Sequence, residues 1–109
     1  MIRGEIWTAA GNQDYAAKPR PVVIVQSDGA ETRESITVCL FTTDATEASL
    51  VRIPIQPSPV NGLNEISRIM VDKISTIPRA KLGKRIGCLN DPDMARLNRA
   101  IVVFLGLAD

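Results

Sequence analysis

Lys18-Pro-Arg-Pro-Val-Val-Ile-Val-Gln-Ser27 decides the fold class. Val22 to Gln26 is almost continuously Val and Ile, the pattern of a β-strand buried on both faces. Just before it, Arg20 stands between two prolines. Proline fixes φ and has no N–H, and it biases the residue ahead of it toward extended backbone. Arg20 is therefore held extended at the mouth of a buried strand. A cation on a stiff backbone at a strand end suits an anionic group such as phosphate.

Working outward, Gly4-Glu-Ile-Trp-Thr8 alternates and reads as a short first strand. Ala9 to Pro19 is a polar loop with Gly11-Asn-Gln-Asp14 as its turn. Ser35 to Thr43 is a third strand that ends in hydroxyls and an acid, Thr42-Thr43-Asp44. Leu50 to Ile55 alternates around Arg52 and Pro54, as an edge strand does. Gln56 to Asn64 is a loop, Arg68 to Ile74 a strand with Asp72 near its end, and a helical turn is expected near Ala80 to Leu82. Lys84 to Leu89 is the last strand. Asn90-Asp-Pro-Asp93 then supplies an N-cap, a first-turn proline and acids against the macrodipole. Met94, Leu97, Ile101, Phe104 and Leu105 recur on one helical face, and Gly106 stops the helix. The stretch Ile101-Val-Val-Phe-Leu105 is apolar nearly all round, which suggests burial in a subunit interface. The expected architecture is mainly β with a C-terminal helix, a small antiparallel barrel-like sheet.

The chain has 109 residues, 45% of them apolar and 23% charged, which fits one domain over 1–109. No apolar run approaches the roughly 18–20 residues of a membrane span, and the first residues lack a signal-peptide core. Cys39 and Cys88 both lie in apolar runs and read as reduced core thiols, so the expected location is the cytoplasm. Net charge is +1. Residues 1–55 carry 5 basic and 7 acidic side chains, and residues 56–109 carry 8 and 5. Arg79, Lys81, Lys84 and Arg85 form a run without acids, either a solvated face or a patch that follows a phosphate backbone.

The chain contains no histidine. Ser-His-Asp and Cys-His arrangements are thereby excluded, as are histidine-based zinc sites, and two isolated cysteines do not make a zinc cage. There is no Walker A loop and no GxGxxG, so neither a metal nor a nucleotide cofactor is expected. Arg20, Thr42 or Thr43, and Asp72 stand at strand ends, and Gln13, Asp14 and Tyr15 lie in the loop before Arg20. An arginine, a threonine and an aspartate converging on one phosphodiester could assist attack by an RNA 2′-hydroxyl. That reaction needs a proton acceptor, stabilisation of developing charge and a protonated leaving group. Arginine grips phosphate oxygens bidentately and threonine can donate to one. Asp72, or an arginine in an unusual environment, would serve as base.

Arg3-Gly-Glu-Ile-Trp7 followed by Arg20-Pro-Val-Val-Ile-Val25 resembles the opening of MazF/PemK-type toxins of bacterial toxin–antitoxin systems. Val71-Asp-Lys-Ile-Ser-Thr-Ile77, Lys81-Leu-Gly-Lys-Arg-Ile-Gly-Cys-Leu-Asn90 and the Met94 to Leu107 segment resemble later signatures of that family, in order. The resemblance implies an SH3-like small barrel of the MazF/CcdB type. It implies a homodimeric, metal-independent endoribonuclease that cleaves single-stranded RNA to 2′,3′-cyclic phosphate and 5′-hydroxyl ends. It also implies a cognate antitoxin that blocks the RNA groove. Carried over by position, the catalytic residues are Arg20, Thr42 (Thr43 one residue on) and Asp72. The expected RNA-binding set is Gln13, Asp14, Tyr15, Lys18, Thr43, Lys73, Arg79 and Lys81.

Two positions depart from the pattern. Tyr15 or Asp14 falls where many members carry a glutamate, and Met70 falls where some carry a second arginine. The alternative is a non-enzymatic fold member, either a CcdB-like gyrase inhibitor or a catalytically weakened partner-binding protein. Against the gyrase reading, the chain ends Gly106-Leu-Ala-Asp109, without the Trp-Gly-Ile ending such inhibitors use.

Overall fold

The computed structural model describes residues 1–10, 18–46 and 50–108. Strands β1 (Glu5–Ala9), β2 (Arg20–Ile24), β3 (Ser35–Thr42), β4 (Arg52–Ile55), β5 (Ser67–Pro78) and β6 (Leu82–Cys88) form one sheet, followed by helix α1 (Asp91–Phe104). The order across the sheet is β4-β5-β3-β2-β1-β6, every pairing antiparallel. β4 is an edge strand, as its alternation and Pro54 require. β5 runs further than Arg68 to Ile74. The segment Ser75 to Pro78 keeps pairing with β3, ending at Ser35 opposite Pro78, and proline is tolerated at that terminal position. A single 3-10 turn, Arg79–Lys81, leads straight into β6 at Leu82.

Two apolar clusters sit on the two faces of the sheet. One packs Ile6, Val23, Cys39, Phe41, Ile53, Ile55, Ile69 and Val71 against Leu97 and Ala100 of α1. The other gathers Ala9, Val22, Ile24, Ile36 and Val38, covered by Trp7, Leu40, Ile77 and Leu82. Successive β2 residues thus serve opposite cores, which is why that strand reads as an unbroken apolar run. Cys39 is wholly buried and Cys88 half-buried, both as free thiols, and burial pushes the Cys39 thiol up to about 12.

The N-cap of α1 is as expected: Asn90 Oδ1 accepts the Asp93 amide at 2.9 Å. Leu97 is buried, and Met94 and Ile101 pack against the core, but Phe104 and Leu105 are exposed. The face read from periodicity therefore leaves the core one turn early.

The edge strands β4 and β6 are not hydrogen-bonded to each other, so the sheet is barrel-like without closing. The β4–β5 loop spans the gap: Cys88 N donates to Val60 O at 3.0 Å. Asn61 anchors that loop from inside. Its side chain accepts from the Ser58 and Leu63 amides and donates to Gln56 O. Gly62 has φ of 72° there, and a Cβ would collide with the Ile86 carbonyl. Gly106 has a similar φ of 74° with open space around it. Gly106→Ala should cost only the left-handed penalty, about 1–2 kcal/mol. Gly62→Ala adds a backbone collision and should cost roughly 3 kcal/mol or more. Urea unfolding of the two variants measures the difference.

Candidate functional site

Arg20 opens β2 and pairs with Ala9. Thr42 ends β3 and pairs with Arg68 of β5, which in turn pairs with Pro54 of β4. The β2–β3 register sets Val22 against Leu40; carried two residues on, it sets Arg20 across from Thr42. The paired positions are Pro54, Arg68 and Thr42 on one side and Arg20 and Ala9 on the other. The β2–β3 ladder itself ends at Val22–Leu40, and its register, continued, lines the two sets up as one row. Side chains directly opposite one another in such rows have Cβ atoms about 5 Å apart. The next row places Arg52, Met70, Leu40 and Val22 in line. Phe41, Ile53 and Ile69 face the helix-side core, so by alternation these rows project from the opposite face.

Asp72 reaches this face by plain alternation after Arg68 and Met70, at the point where the ladder becomes irregular. Cys39 pairs with Ile74 and Leu40 with Met70, so Val71, Asp72 and Lys73 have no separate partners on β3. Such bulges re-aim side chains; here Lys73 is turned out to solvent between Asp72 and Ile74. Val71 turns into the core, while Asp72 meets Arg52 in a bidentate pair, Nε to Oδ1 at 2.7 Å and Nη2 to Oδ2 at 2.9 Å. The side chains are 10% and 27% exposed. Hydrogen bonds from Arg52 hold the Asp72 carboxyl below the usual aspartate range, with the charges of Arg52 and Lys73 adding to the effect.

Thr42 Oγ1 accepts the Asp44 amide at 3.1 Å, leaving its hydroxyl proton free to donate. Asp44 Oδ1 accepts the Thr46 amide at 2.9 Å. That bond, together with the nearby charges of Arg52 and Arg68, lowers the Asp44 carboxyl. The side chains of Arg20 and Arg68 make no hydrogen bond or ion pair among the described residues.

The structure therefore sets Arg20 and Thr42 at neighbouring ends of β2 and β3, in register but two residues beyond the last ladder pair. It sets Asp72 two rows from Arg68 along β5, engaged by Arg52 of the intervening row. Thr43 is exposed just beyond Thr42, Lys18 just before β2, and Lys73 beside Asp72. Lys81 adjoins the far end of the row, where its carbonyl accepts the Ala10 amide. Gln13, Asp14 and Tyr15 lie outside the described residues. Arg79 is not brought to the row. It sits by the Ser35 end of β3, where Nε donates to Thr32 O at 3.1 Å. Arg85 is paired with Glu5 at 2.8 Å. The basic run 79–85 is thus partly committed to holding the fold rather than forming one free patch. Arg52 and Arg68 gave no sequence signal beyond their alternation with core residues, because their neighbours come from distant strands.

The chemistry open to this face is the gripping of an anionic, planar-oxygen group by guanidinium and hydroxyl donors. A small antiparallel sheet with one C-terminal helix, carrying such a face, defines the class of fold. Within it, residues 2–105 match the family described as PemK-like, MazF-like toxin of type II toxin-antitoxin system, and the chain belongs to that family. It is 49% identical over 108 residues to the probable endoribonuclease MazF of Mycolicibacterium smegmatis, covering 99% of each chain. Among solved structures, it matches the Mycobacterium tuberculosis toxin MazF-mt6 with a TM-score of 0.79 and 29% identity, over 96% of this chain and 99% of that one. An endoribonuclease in complex with its cognate antitoxin from a mycobacterial species gives a TM-score of 0.80 at 21% identity, over 100% and 98%; this likeness concerns the fold.

The Arg52–Asp72 pair carries a pH signature. A carboxyl lowered in the folded state contributes stability above its unfolded value, about 3.9 for aspartate. The contribution is lost as pH falls through the folded value. Asp72→Asn should cost about 1–2 kcal/mol at pH 7, between the values for exposed and buried pairs. The gap from wild type should narrow as pH falls below about 3.9. Thermal unfolding over that pH range checks it.

Proposed function

We propose that this chain is the toxin of a toxin–antitoxin pair and cleaves single-stranded RNA without a metal. The observation that carries the reading is the row in which Arg20 and Thr42 adjoin at the strand ends, in a chain of this family. The 2′-oxygen of the RNA bonds to phosphorus as the P–O5′ bond breaks. One proton leaves the 2′-hydroxyl and one is taken up by the 5′-oxygen, giving a 2′,3′-cyclic phosphate and a 5′-hydroxyl. Arg20 neutralises charge developing on the non-bridging oxygens, and Thr42 donates its free proton to one of them. Asp72, already held ionised by Arg52, is a weak proton acceptor near neutral pH. Its part in the site is to position Arg52. Lys18, Thr43, Lys73 and Lys81 border the row and guide the flanking strand. Gln13, Asp14 and Tyr15 complete the proposed RNA-contacting set, while Arg79, at the Ser35 end of β3, falls outside it.

The same reading assigns partners. Val103, Phe104, Leu105 and Leu107 are exposed at the end of α1, apolar area suited to a second copy of the chain. A groove of about 550 Å³ between β4 and α1 is lined by Val51, Ile53, Pro54, Arg96, Arg99 and Val103. Apolar walls with three arginines, Arg52, Arg96 and Arg99, suit an acidic, partly apolar antitoxin segment. No helix among the described residues is long and apolar enough to cross a membrane, and the RNA substrate places the activity in the cytoplasm.

Purified protein incubated with a long RNA in EDTA should yield discrete fragments ending in cyclic phosphate. Arg20→Ala should slow cleavage by about 10²–10³-fold, the loss typical of removing one charge-stabilising donor. Intact RNA, or cleavage undiminished by that substitution, contradicts the assignment. Light scattering at micromolar concentration should show a dimer.

A further inference from the structure

We propose that Arg68 is a second phosphate-gripping cation of this site, so that the reacting phosphodiester lies between Arg20 and Arg68 with Thr42 in the middle. This rests on the RNA-cleaving reading above and adds a residue to it.

The placement follows from register. Arg68 is the direct cross-strand partner of Thr42 on β5, and Arg20 occupies the corresponding position on β2. Neighbouring strands lie about 4.8 Å apart, so the two arginines start roughly 10 Å apart on either side of one hydroxyl. That spacing lets two long side chains converge on a single tetrahedral anion. A phosphodiester has two non-bridging oxygens, and two guanidinium forks can each take one while the threonine hydroxyl donates from below.

The bonding state of the three arginines on this face separates their roles. Arg52 spends both Nε and Nη2 on Asp72 and its side chain is only 10% exposed. Its charge is cancelled where it stands. The Arg68 side chain makes no hydrogen bond or ion pair among the described residues. Asp44 feels its charge from a distance but gives its carboxylate oxygen to the Thr46 amide. Arg68 is therefore an available cation, half-exposed, beside the hydroxyl that the mechanism uses. Asp44 also fixes Thr42 through its amide, so the acid, the hydroxyl and Arg68 form one local unit.

The test uses the intact protein. Cut sites in a long RNA are first mapped by sequencing 5′ ends. A synthetic RNA of the mapped sequence, 2′-deoxy at the cut nucleotide, then serves as a probe that binds without reacting. A lost phosphate contact lowers the slope of log K against log salt by about 0.7 on single strands. Arg68→Gln and Arg68→Ala should both show that drop, with kcat/KM reduced at least tenfold on the all-ribose RNA. Arg68→Lys keeps the charge and should retain the slope. A structural role would leave the slope unmoved. Wild-type slopes and kcat/KM in both neutral variants overturn the inference, while loss of cutting in Arg20→Ala alone leaves the parent reading standing. Undiminished cutting by Arg20→Ala instead refutes the parent reading whatever Arg68 does.

Discussion

The β3–β5 ladder shifts by three residues between Cys39 and Leu40, and the geometry of the exposed face hangs on that shift. Strand side chains alternate strictly, so a regular β5 cannot place two consecutive residues on one face. At the irregularity, Val71 is wholly buried and Ile74 packs against the same core, while Asp72 and Lys73 between them reach solvent. The rows on the Thr42 side of the shift keep Arg68 and Met70 in phase with Thr42 and Leu40. On the other side, Ile77 joins Ile36 and Val38 in the second core. One strand thus serves two cores and one polar face without breaking its pairing.

That arrangement makes the Arg52–Asp72 pair a structural joint. β4 has only four residues and lies at the sheet edge, so its ladder hydrogen bonds hold it weakly. The bidentate pair fastens it to β5 within the irregularity, and the Val71 amide donates to Val51 O at 2.9 Å beside it. Ile53 and Ile55 are thereby kept against the helix-side core. Breaking the pair would leave a nearly buried guanidinium without its counter-charge, which costs more than a surface ion pair contributes.

How much of this was legible in the sequence follows from how local each signal is. The run after Arg20 announced a buried strand because β-branched residues and two prolines act on their own backbone. The start of α1 was legible for the same reason: Asn90, Pro92 and the flanking acids satisfy the first turn by themselves. The end of α1 was not, because periodicity continues through Phe104 whether or not a core lies beneath it. β5 was cut short at Ile74, since Thr76-Ile-Pro78 resembles an exit until its partner Ser35 to Thr37 is known. Arg20 and Thr42 could be singled out as strand ends, but their adjacency depends on the β2–β3 register. Arg68 sits opposite Thr42 through a pairing that spans 26 residues of sequence, and no local pattern encodes it.

The same nonlocality explains why charge counting misleads in this chain. The run Arg79 to Arg85 is the densest basic stretch in the sequence, yet Arg79 and Arg85 are tied to Thr32 O and Glu5. The face around Thr42 collects its cations singly, from three strands. There the useful quantity is not the number of positive residues but how many still have donors to give. Arg52 has given its fork to Asp72, whereas Arg20 and Arg68 keep theirs. Two free guanidinium groups held near one another repel, and an anion placed between them removes that repulsion while gaining both forks. A rigid sheet that holds such a pair apart has already met part of the ordering cost of binding. That preorganisation is what a proline-stiffened Arg20 and an Arg68 held in the regular β3–β5 ladder have in common.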